Sequence, residues 1–91
     1  PLVEIRIAVE DDTRVPELVR RLARLFDRPS ISFDRSRNEV RVASEWESRK
    51  AMGVVEIIQA WLNEDGAESA MLWFGNRSYV LVPAPPLTVI S

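Results

Sequence analysis

Two kinds of side chain in this sequence could do chemistry unaided: the arginines and the amino-terminal proline. The chain of 91 residues has no histidine and no cysteine. That removes imidazole bases, thiol nucleophiles, disulfides and Cys/His zinc sites together. Pro1 is a secondary amine. In an apolar pocket its ammonium form is disfavoured, and the free amine would act as a general base near neutral pH. Proline behind a removed initiator methionine is equally an ordinary chain start with no chemistry attached.

The arginines are concentrated. Eleven of the 12 basic residues are arginine, and eight of them lie in residues 14–41, a segment of net charge +4 between two segments of −3, for a total of −2. Arg14, Arg21, Arg24 and Arg28 read as one side of a helix, with Arg20 close by and Arg35 and Arg37 at a turn. Arg21, Arg24 and Arg28 are therefore candidates for binding phosphate or an acidic protein partner. The plainer interpretation is a solvated helix face, and Glu17 and Arg21 have the i,i+4 spacing that supports a helix. Nucleic acid is not expected as a partner. Base-stacking modules need aromatics on the open face of the sheet, and the central strands here offer none.

Other candidates are weaker. Glu10-Asp11-Asp12 could gather a hard cation, but no ligand loop with a turning glycine and a distal glutamate follows. Acids ahead of a helix also answer its dipole. The serines have no histidine to activate them, and neither Ser-x-x-Lys nor Gly-x-Ser-x-Gly occurs. Three glycines are too few and too scattered for a phosphate loop. No metal and no cofactor is implied. No apolar run approaches 18 residues and no targeting segment is evident, so a soluble, cytoplasmic chain is expected.

The elements that must position these residues alternate regularly. Residues 2–9 read as a strand, with Val3, Ile5, Ile7 and Val9 on one face. Val15, Leu18, Val19, Leu22, Leu25 and Phe26 form a helical stripe that begins between residues 13 and 16 and is stopped by Pro29. Residues 30–34 and 38–43 read as a hairpin. Ser44-Glu45-Trp46-Glu47 matches a capping box opening a second helix, whose buried stripe is Trp46, Ala51, Val54, Val55, Ile58, Trp61 and Leu62. Gly53 interrupts it at a cost of roughly 1 kcal/mol against alanine, which close packing on a strand would justify. Residues 68–74 and 77–82 are strands joined by Gly75-Asn76, a type II′ signal.

The order β-α-β-β-α-β-β predicts an α+β, ferredoxin-like two-layer sandwich with a fifth strand hairpinned outside the fourth and an extended C-terminal segment. Right-handed crossovers give the order 4-1-3-2 for the first four strands. Residues 1–82 form a single domain, and 83–91 a Pro-rich extended segment. Opposite-charge pairing between the central strands predicts Ile5 facing Val40, with Glu4 opposite Arg41 and Arg6 opposite Glu39.

Pro1, the strand after it and the strand-to-helix step resemble the tautomerase superfamily. The resemblance implies catalysis by the Pro1 amine, with arginines holding an anionic substrate. The hairpin at 30–43 departs from that family's repeated β-α-β plan.

The last hairpin is apolar on both faces. Ala70, Leu72, Phe74, Tyr79 and Leu81 line one; Met71, Trp73, Val80 and Val82 line the other. Helices on one side of a sheet shield one face only. The second needs a cover: the C-terminal Leu87–Ile90 run, a second copy, or another protein. The sequence therefore favours a non-enzymatic interaction or regulatory module that self-associates, as a homodimer, or docks a protein partner. Its contacts would be Met71, Trp73, Val80, Val82, Leu87 and Val89, with Arg21, Arg24 and Arg28 for an acidic partner. The competing reading is a tautomerase-like enzyme built on Pro1.

Overall fold

The computed structural model describes residues 2–65 and 69–83. Five strands, β1 (Leu2–Ala8), β2 (Ile31–Asp34), β3 (Glu39–Glu45), β4 (Ala70–Phe74) and β5 (Arg77–Leu81), make one antiparallel-paired sheet in the order β2-β3-β1-β4-β5. Two helices, α1 (Val15–Leu22) and α2 (Ser48–Asp65), supply the crossovers. This is the ferredoxin-like sandwich with an added fifth strand. Ile5, Ile7, Val40, Val42 and Leu72 from the sheet meet Leu18, Leu22, Val54, Ile58 and Leu62 from the helices in one core.

The helix ends differ from the sequence pattern. Pro16 does occupy the first turn of α1, where its missing N–H costs nothing. After Leu22 the chain tightens, with Arg24 and Leu25 donating to the carbonyls three residues back, the 3-10 pattern of a helix end. Phe26 remains buried although it lies beyond the α-helix. The capping box does not form. Ser44 stays in β3 opposite Val3, its hydroxyl donates to the Glu45 carbonyl, and α2 opens later with Ala51 N–H donating to the Glu47 carbonyl. Trp46, expected in the buried stripe, is consequently in the connecting loop and 49% exposed.

The central register is also corrected. β1 pairs β3 with Ile5 opposite Val42, Ile7 opposite Val40, and Arg6 opposite Arg41, two residues away from the charge-paired alignment. Such a shift leaves every side chain on its own face, so the hydrophobic pattern cannot exclude it. Glu39 reconciles the two arginines. It is 6% exposed and accepts from Arg6 Nη1 at 3.4 Å and from Arg41 Nη2 at 3.2 Å.

Gly53 has a different neighbour from the strand expected. A Cβ there would lie 2.7 Å from Leu25 Cδ1, so the small residue lets the segment after α1 approach α2.

Candidate functional site

The β4–β5 hairpin turns through Gly75 and Asn76, with φ positive (61°) at Gly75 alone of the two, the type II′ signature. Met71 lies opposite Val80 and Trp73 opposite Ser78 on the open face; Leu72 lies opposite Tyr79 and Ala70 opposite Leu81 on the helix face. Val80 is 63% and Val82 54% exposed, while Met71 and Trp73 are half-buried. The Arg6 guanidinium sits 4.8 Å over the Trp73 ring, so the apolar patch begins where the charged centre of the sheet ends. Leu87 and Val89, assigned to the same surface, lie outside the described residues.

Backbone geometry makes the two sheet edges unequal. In a two-residue hairpin the pair flanking the turn is hydrogen-bonded and pairs then alternate. Arg77, Tyr79 and Leu81 therefore turn their backbone groups toward β4, and Ser78 and Val80 turn theirs outward. The Gly75 N–H donating to the Glu4 carbonyl has the alternation this requires on the other side of β4. On the opposite edge the same alternation turns Ile31 and Phe33 of β2 outward. There Arg28 takes both groups of Ile31: its Nη1 donates to the Ile31 carbonyl at 3.0 Å and its own carbonyl accepts the Ile31 N–H. The β2 edge is short, charged and partly occupied, which is how an edge is blunted. β5 has no charge between Arg77 and Pro83.

The helix side of the hairpin carries aromatic residues that the two helices leave partly uncovered. Trp46 and Phe74 meet edge-to-face at 5.5 Å, and Phe74 and Tyr79 at 5.9 Å. Tyr79 is 44% exposed. These rings, with Val3, Asn76 and Arg77, line a hollow of about 390 Å³. Phe74 also borders a second hollow of about 370 Å³ along Ala51, Met52, Val55, Glu56 and Gln59. The signal was available: two helices about 10 Å wide leave the outer strand of five largely unroofed.

The arginines do not form one site. Arg14 precedes α1, stacks 4.2 Å over the Trp61 ring and donates to the Trp61 carbonyl at 2.6 Å. Arg20 bonds Glu17 through two nitrogens, and Arg21 bonds both Glu17 and Glu64. Hydrogen bonds from Arg20 and then Arg21 hold the Glu17 carboxyl down at about 2. Arg21 and Arg24 border a hollow against Gly53 and Ile57. Arg28 instead shares with Arg20 a groove of about 580 Å³ between α1 and β2, floored by Val15, Val19, Ile31 and Phe33. Arg35 and Arg37 are exposed at the turn between β2 and β3.

The acidic run is local structure. Asp11 caps the 3-10 turn Asp12–Arg14 by accepting from the Thr13 N–H and hydroxyl. Among the described residues no group of three acidic side chains converges as metal ligands would, and no helix is long and apolar enough to cross a membrane. Pro1 lies outside the described residues; its neighbour Leu2 is exposed and faces Glu45. Comparison with protein-family models, with curated proteins and with solved structures returns no match.

Proposed function

We propose that this chain is a non-catalytic protein-interaction module that self-associates by joining its β5 edge to that of a second copy. The observation that carries this reading is the edge of β5, which no strand pairs among the described residues: outward backbone groups at Ser78 and Val80, and exposed apolar side chains at Val80 and Val82. Such an edge templates another strand. A two-fold axis at Val80 sets Val80 against Val80 of the partner, Ser78 against Val82, and Tyr79 against Leu81. No like charges meet, and main-chain bonds add to apolar pairs on both faces. Second-copy pairing is favoured because a two-fold contact requires a self-complementary patch, and residues 78–82 are one. The half-buried Met71 and Trp73 extend the patch inward.

Sedimentation equilibrium tests this. The wild-type chain should move toward twice its monomer mass over tens to hundreds of micromolar. Val80→Lys, at a position already exposed, should stay monomeric with an unchanged melting temperature, and Arg24→Glu on the far side should behave as wild type. A wild-type chain that remains monomeric across that range, or a Val80→Lys chain that still dimerises, overturns the reading.

A further inference from the structure

From the helix side of the same hairpin, a surface the self-association reading uses only where Tyr79 meets Leu81 of a second copy, we infer a second binding site: a groove for a proline-rich segment in the polyproline II conformation. Trp46, Phe74 and Tyr79 form a row in which the middle ring meets each neighbour edge-to-face. Apolar proline rings pack against grooves lined with aromatic side chains, and the preformed polyproline II helix loses little entropy on docking.

The rim chemistry selects the same ligand. A polyproline II segment has no internal hydrogen bonds, so its carbonyls look for donors. Trp46, Asn76 and Arg77, residues whose side chains carry N–H donors, line the hollow, and no acidic residue does. Asn76 and Arg77 are held at the rim by the tight Gly75-Asn76 turn, and Trp46 is there because β3 runs on through Glu45 before α2 begins. An amphipathic helix fits less well, since its backbone is already bonded and would leave those donors without acceptors. The chain itself contains such a ligand sequence. Pro83-Ala84-Pro85-Pro86 has the P-x-x-P spacing and follows β5 directly, so a ligand of this chemistry is present wherever two copies meet.

The test is fluorescence anisotropy with the full chain and three labelled probes: decaproline, a Gly/Ser peptide of equal length, and an amphipathic helical peptide. Decaproline should saturate at least tenfold tighter than either control. Trp46→Ala and Tyr79→Ala should each weaken it at least fivefold, while Val80→Lys on the opposite face leaves it unchanged, which separates this site from the dimer edge. A full chain carrying Pro85→Ala and Pro86→Ala is assayed in parallel. Decaproline binding that appears or tightens in this variant supports the groove, its own segment having competed for it. Equal binding of the helical peptide, an affinity indifferent to Trp46 and Tyr79, or no binding by either chain overturns the proposal.

Discussion

Glu39 lies between two arginines that face each other across neighbouring strands. It is the only buried charged residue among those described, and Arg6 and Arg41 are each about a quarter exposed. Glu4 and Asp34 lend a second rank of carboxylates at 3.4–3.9 Å. Removing Glu39 leaves opposed guanidiniums over an apolar layer. Glu39→Ala should therefore lower the unfolding free energy by about 2–3 kcal/mol, less than the 3–5 kcal/mol of a fully enclosed pair because both arginines keep contact with water. Glu39→Gln, which retains an acceptor, should cost about half as much. Urea unfolding measures both, and an alanine variant within about 0.5 kcal/mol of wild type would show that Glu4 and Asp34 suffice. This cluster is poorly legible in the sequence. Charge matching pairs Arg6 with Glu39 directly across the strands, whereas the folded chain uses the diagonal contact, which cross-strand spacing also allows.

At the scale of elements, Gly53 sets how closely the turn after α1 approaches α2. Alanine there gains roughly 1 kcal/mol of helix propensity, but its methyl group meets Leu25, a half-buried side chain with room to swing. Gly53→Ala should therefore be more favourable in a Leu25→Ala background than in wild type by about 0.5–1 kcal/mol, a coupling expected of residues in contact. Independent, additive effects in a double-mutant cycle of chemical denaturation would mean that Leu25 does not constrain this position. Element order, strand order and the hairpin faces were all legible, because alternation and turn residues such as Gly75 encode them locally. The boundary at Ser44 was not. Its capping-box pattern is local, and it yields to the ladder bonds that Val3 offers from a strand forty residues away. The exposure of Tyr79 and Trp46 is not legible for a related reason: the pattern says which face a residue takes, not how far a roof of two helices extends.

Across the whole molecule, several carboxylates are held below their ordinary range by local donors: Asp11 by the Thr13 hydroxyl and N–H, Glu17 by Arg20 and Arg21, and Asp34 by the Ser36 hydroxyl. A carboxyl depressed in the folded state binds its proton more readily when unfolded. Its contribution is complete above the unfolded value and is lost as pH falls toward the folded one. From these groups the melting temperature should be level down to about pH 4.5 and then decline toward about pH 2, the window for Glu17. Glu17→Gln should flatten that limb in circular-dichroism melts across pH; an unchanged slope would show that its arginine partners add nothing to stability.

The inequality of the two sheet margins bears on stoichiometry. Arg28 holds both outward groups of Ile31 on one margin, whereas β5 carries no such contact among the described residues. On the self-association proposed above, a molecule so built would have a valence of one. Two copies joined about a dyad would consume both open margins, and the ten strands would end on each side in the partly occupied β2, so growth should stop at a pair where a chain open at both ends would go on to fibres.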